Sequence, residues 1–133
     1  MPAIRLATII VPGRPISIQA KHRQQWIQRV RQAAIAKLAQ PVALDDLRIV
    51  ITFFYRLKPS FDTDNISKPI CDALNGVAYN DDSQITDRHA RRRSLNGSYY
   101  LADADPDLVL ALQRAVEFVC IEIFALGDEV NQL

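Results

Sequence analysis

The sequence predicts an α+β fold, a single-domain mixed sheet with packed helices. Three observations carry that expectation. Apolar, β-branched runs at 4–11 and 47–57 have the length and alternation of strands. Each is followed by a segment whose apolar residues recur at helical spacing. With 133 residues, 49% of them hydrophobic, the chain can bury one core, so residues 1–133 are expected to form one domain.

Ile4 to Val11 reads as a buried strand that stops at Pro12-Gly13. From Lys21 to Gln40 the residues Trp26, Ile27, Val30, Ala33, Ala34 and Leu38 define an amphipathic helix, closed by Pro41. Arg23, Arg29 and Lys37 give it a basic face. In Leu47 to Leu57 the residues Ile49, Ile51, Phe53, Tyr55 and Leu57 fall on one side, and Val50 and Phe54 make the other side apolar too, as in a central strand. Lys58-Pro59-Ser60 ends it, which puts Asp62 and Asp64 in the loop entering the next helix. That helix buries Ile66, Ile70, Ala73 and Leu74 and has Gly76 at its C′ position; Pro69 predicts a late start or an irregular first turn.

Tyr79 to Asp82 reads as a turn, and Ile85 to Leu95 as an arginine-rich strand. Asn96-Gly97 is a hairpin signal, with Ser98 to Leu101 as the expected returning strand. Asp105-Pro106 reads as N-cap and first residue of a long helix ending near Gly127. Its stretch from Phe118 to Leu126 is almost wholly apolar, more than one core face needs.

A formal net charge of +1 makes no global announcement of a nucleic-acid binder, so phosphate affinity has to come from local clusters. Two exist, Lys21-His22-Arg23 with Arg29 and Arg31, and Arg88-His89 with Arg91-Arg92-Arg93. Consecutive arginines of a strand cannot all face one way, so the run predicts a basic face or a charge-protected edge. Cys71 and Cys120 lack the spacing of a zinc site or a disulfide framework and read as buried thiols in a reducing compartment. The N-terminal apolar stretch is too short for a signal peptide and no segment reaches the length of a membrane span, so a cytoplasmic location is expected.

Asp62-x-Asp64, Lys68 and then Asp81-Asp82 are the residues that point to chemistry. A lone pair of aspartates is a solvated loop or a helix cap. A second acidic pair across one short helix favours a cation, since like charges brought together need one to offset their repulsion. Magnesium suits such a set, because it takes oxygen ligands and keeps waters and substrate phosphate oxygens in its shell. An EF-hand is excluded by the missing loop glycine and terminal glutamate. Asp64, Lys68 and Asp72 fall at i, i+4 and i+8, so the lysine can reach the carboxylates or serve as a point charge on a phosphate, with Asp72 as its structural partner. The implied chemistry is phosphodiester hydrolysis. Phe61 is expected to pack beneath the loop rather than touch a base, and His22 and His89 to be solvated or close to phosphate.

The ordered set Asp62-x-Asp64-Asn65-x-x-Lys68-Pro69, Asp72-Ala73-Leu74-Asn75-Gly76 and Tyr79-x-Asp81-Asp82-Ser83-Gln84-Ile85 closely resembles the signature of RusA-type four-way (Holliday) junction resolvases. The match runs over about residues 58–88. The resemblance implies a small homodimeric, Mg²⁺-dependent endonuclease that nicks opposed strands of branched DNA. It implies that Asp62, Asp64 and Asp82 are metal-binding catalytic carboxylates, that Lys68 is the essential lysine, and that Asp81 assists. Arg88, Arg91, Arg92 and Arg93 are the expected DNA contacts. Two other classes compete: a junction-binding protein that does not cleave, and a DxD-type phosphatase, whose larger doubly wound sheet 133 residues hardly allow.

Overall fold

The computed structural model describes residues 2–15 and 22–133. Four strands, β1 (Ile4–Pro12), β2 (Leu47–Tyr55), β3 (Ile85–Ser94) and β4 (Phe118–Ala125), form one mixed sheet in the order β1-β4-β2-β3. β4 runs antiparallel to both β1 and β2, whereas β2 and β3 are parallel. A parallel pair needs a crossover, and the helix α2 (Thr63–Leu74) supplies it. Helices α1 (Arg23–Lys37) and α3 (Pro106–Gln113) complete the α+β fold. No helix among the described residues is long and apolar enough to cross a membrane.

The core lies mainly on one face of the sheet. Ile9, Ile49, Ile51, Phe53, Val119 and Ile121 pack there against Trp26, Val30 and Ala34 of α1 and Ile66, Ile70 and Leu74 of α2. The opposite face has a smaller cluster in which Phe54, Phe118 and Cys120 meet Ala111 of α3. Phe54 stacks on Phe118 at 4.8 Å and meets the Tyr99 ring edge-on at 5.5 Å. Burial on both faces bears out β2 as a central strand, and both cysteines are buried thiols.

The long C-terminal helix is corrected. α3 ends at Gln113, and Ala115 takes a left-handed backbone (φ 57°) that breaks the helix before Phe118. The stretch Phe-Val-Cys-Ile-Glu-Ile-Phe-Ala is β-prone, and its apolar surplus is explained by a strand buried on both faces between β1 and β2. The expected return strand is also absent: Asn96-Gly97 does turn the chain, but 98–101 joins no ladder. Tyr99 instead folds onto Phe54, with its hydroxyl donating to the Ser94 carbonyl, which draws the segment over the sheet and away from the β3 edge.

The first helix starts at Arg23 and ends at Lys37, short of Gln40; Lys21, the expected start, lies outside the described residues. α2 runs without a break from Thr63, with Pro69 inside it, so the late or irregular start is corrected too. Its end is as expected. Gly76 has φ +82°, the left-handed backbone that glycine adopts without steric penalty.

Candidate active site

α2 sets the geometry of the site. It runs roughly 18 Å back along the sheet after β2, with its apolar stripe on the core and Asp64, Lys68 and Asp72 exposed on the other side. Asp62 is the N-cap residue by position, but its carboxylate makes no capping hydrogen bond. Both carboxylates lie at the N-terminal end of α2, where the helix dipole is positive. Neither carboxylate has a hydrogen bond or ion pair among the described residues, and neither does the Lys68 ammonium. The expected Asp64–Lys68 and Asp72–Lys68 pairs are therefore not formed; Arg23 takes Asp72, at 3.8 Å. Lys68 is left free to meet a ligand.

The loop that delivers Asp62 is tied down by an arginine. Arg92 Nη1 donates to the carbonyls of Phe61 at 3.0 Å and Pro59 at 3.4 Å, while the Phe61 side chain packs against the core. Register explains which arginines can do this. Arg88 and Arg92 lie opposite Ile49 and Phe53, on the face covered by α1 and α2, whereas Arg91 and Arg93 lie opposite Thr52 and Phe54, on the α3 face. Arg91 is bound to Thr52 Oγ1 at 2.9 Å, and Arg93 Nη1 donates to the Arg92 carbonyl at 2.8 Å. The arginine run is thus divided between two faces of an edge strand. Of the four, Arg88 alone has a guanidinium without a hydrogen-bond partner among the described residues.

Past α2, the turn before β3 is built by two side chains. Asp81 caps a short 3₁₀ turn (Asp82–Gln84), its carboxylate accepting from the Ser83 N–H at 3.1 Å. These hydrogen bonds from Ser83 hold its pKa below the ordinary aspartate value. Gln84 is buried and fully bonded. Its Oε1 accepts from the N–H groups of Asn80 and Asp81, and its Nε2 donates to the carbonyls of Val42 and Leu44, both at 2.8 Å. Asp81 is thereby committed to the turn and Asp82 is left exposed and unbonded. Asp82 also acts on α2. Burial pushes the Cys71 thiol up, Arg88 pulls it down, and Asp72 and Asp82 add to the rise, so Asp82 and Arg88 both lie within electrostatic reach of the third turn of α2.

Asp62 and Asp64 thus sit at the start of α2 with Lys68 one turn on, and Asp82 opens the 3₁₀ turn that follows the helix. No three His, Cys, Asp or Glu side chains among the described residues converge as a ready metal cage. The donor set still fits a hard divalent cation. Asp62, Asp64 and Asp82 are exposed, offer only oxygen, and are spent on no protein hydrogen bond, as suits an ion that keeps waters and takes ligands from a substrate phosphate.

The other basic cluster has structural duties. Arg31 donates to the carbonyls of Ala73 and Asn75 at the C-terminal end of α2, and Arg29 to that of Pro12. Three residues hold structural roles here that the sequence did not assign them. Arg92 was read as a DNA contact, Gln84 only as part of a motif, and Glu117 not at all. Glu117 binds Arg14 Nη2 at 2.8 Å and the Arg56 N–H at 2.9 Å, joining the ends of β1, β2 and β4. The capping spacing of Asp81 and Gln84 was the one available signal.

The α+β scaffold thus presents exposed, unbonded carboxylates at the start of α2 and in the turn after it, with a lysine on the helix between them. The chain belongs to the RusA endodeoxyribonuclease family, whose model matches residues 16–100. A search of curated proteins gave no match. Membership makes the chain a DNA endonuclease of a family that uses divalent metal.

Proposed function

We propose that the protein is a Mg²⁺-dependent, structure-selective endonuclease that resolves four-way DNA junctions by paired nicks, with Asp62, Asp64 and Asp82 as metal ligands and Lys68 as a catalytic cation. The observation that carries this reading is the exposed, unpartnered state of all four side chains around α2 in a chain of the RusA family. Unpaired charges of both signs are expected where a charged ligand completes the set.

Asp62, Asp64 and Asp82 would hold magnesium, which when bound supplies charge neutralisation at the scissile phosphate and a more acidic water. The chain's own residues do the rest. Lys68, with no carboxylate to neutralise it, places its ammonium on a phosphate oxygen and stabilises charge that grows in the transition state. Arg92 fixes the carbonyls of Pro59 and Phe61, and so the approach of Asp62. Asp81 and Gln84 hold the turn that presents Asp82. Arg88, exposed on β3 with no hydrogen-bond partner among the described residues, contacts the DNA backbone. Selectivity comes from branch shape, because phosphate contacts position DNA without reading its sequence.

A DxD-type phosphatase is disfavoured by the mixed four-stranded sheet, which is not doubly wound. The test is one gel comparing a four-way junction, a linear duplex and a small phosphate ester, with Mg²⁺ or with chelator. The proposal expects symmetric nicks in the junction with Mg²⁺ only. Junction binding without nicks would make the chain a binder, and ester hydrolysis would return the phosphatase.

A further inference from the structure

A second cationic surface lies beside the acidic one. A groove of about 1150 Å³ opens at the end of the sheet where β1 and β2 finish and β4 begins, lined by Arg14, Arg56, Lys58, Ser60, Asn96 and Glu117 among others. It is large and open for a small-molecule pocket, which suits an extended chain better than a compact ligand. Its single carboxylate is already spent. Glu117 binds Arg14 and the backbone N–H groups of Arg56 and Leu57, and Arg14 is further held by the Leu57 carbonyl at 2.8 Å and lies 5.5 Å over the Phe53 ring. Arg14 is thus a fixed wall. Arg56 and Lys58 are exposed, and their charged ends have no partner among the described residues.

We infer that this groove binds the sugar-phosphate backbone of the DNA strand next to the cut, with Arg56 and Lys58 on its phosphates. The inference rests on the endonuclease reading for its location and adds a track that the β3 arginines do not supply. Chain geometry sets the distance. Lys58 is four residues from Asp62, at most roughly 14 Å of extended backbone. DNA carries a charge every 3.4 Å per strand, so the phosphates in question lie within about four nucleotides of the scissile one.

The experiment measures binding of the Arg56→Ala/Lys58→Ala double variant of the full chain to a four-way junction and to a linear duplex, in chelator, across a salt series. Two lost phosphate contacts should flatten the slope of log affinity against log salt by roughly two and weaken binding by roughly tenfold or more at moderate salt. Arg114→Ala, which removes an exposed cation outside the groove, should leave the slope unchanged. A methylphosphonate within four nucleotides of the nick should weaken the parent protein and have little further effect on the double variant. If the double variant fails to fold by thermal melting, Lys58→Ala alone reads the same slope, with a change of roughly one. An unchanged slope, or an equal loss per charge from Arg114→Ala, overturns the groove. Because no cleavage is needed, that result leaves the nuclease reading standing, and a protein that binds through the groove but never nicks fails the nuclease reading alone.

Discussion

Lys68 is an exposed cation four residues from Asp64, yet it pairs with no carboxylate among the described residues, so a catalytic role for it is decided by rate and affinity together. If it acts on transition-state charge, Lys68→Ala should lower the single-turnover rate by the equivalent of several kcal/mol while junction affinity changes little. A loss in affinity with the rate intact would make it only a phosphate contact. Asp64→Asn should abolish nicking and leave binding intact or tighter, since a negative charge facing phosphate has gone; nicking retained at saturating Mg²⁺ would reject Asp64 as a ligand. Arg92 makes the opposite prediction to a DNA contact. Its guanidinium is engaged by the carbonyls before Asp62, so Arg92→Met should reduce the rate by about 10²-fold through misplacement of the loop, with the salt dependence of binding unchanged and partial recovery in Arg92→Lys. A slope flattened by one unit would restore it as a phosphate contact. The acidic residues stood out in the sequence because their spacing along the chain is visible without a fold. The role of Arg92 could not, because it depends on which face of β3 each arginine takes and on a loop more than thirty residues away.

At the scale of elements, the strand ends meet on Glu117. Desolvation opposes its charge, but the hydrogen bonds from Arg14 and from the N–H groups of Arg56 and Leu57 outweigh it and hold the pKa below the ordinary glutamate value. A depressed folded-state pKa contributes stability that is fully present above the unfolded value, about 4.3, and is lost as pH falls through the folded one. Melting temperature should therefore fall below about pH 4.3 more steeply in the parent than in Glu117→Gln. At neutral pH the variant should be less stable by about 1–2 kcal/mol, a figure kept modest because Arg14 is partly solvated. Parallel pH profiles would show that the Arg14 contact carries no net stability. The same region shows why the C-terminal half resisted sequence reading. An apolar run such as 118–126 fits a buried helix and a central strand alike by composition, and the deciding feature, a left-handed Ala115, has no residue signature. β1, β2, α2 and β3 were legible because each carries its own periodicity and a terminating turn.

The whole molecule raises the question of assembly. An apolar surplus on a C-terminal helix would suit a dimer interface, but the stretch Phe118–Ala125 is the strand β4 inside the sheet, so it does not argue for a partner. What remains is the symmetry of the proposed substrate. One chain presents one set of Asp62, Asp64, Lys68 and Asp82, whereas resolving a four-way junction needs two opposed strands cut in one encounter. A C₂ pair provides two identical sites in that relation. The protein should therefore sediment at twice the 15.0 kDa chain mass at low micromolar concentration. Mixing supplies a sharper test than mass. Co-refolded parent and Asp64→Asn chains should include a hybrid with one competent site, which leaves junctions nicked on a single strand, in a proportion that follows the mixing ratio. A monomer that still cuts both strands within one binding event would overturn the dimer, since a single site would then be visiting both cuts in turn.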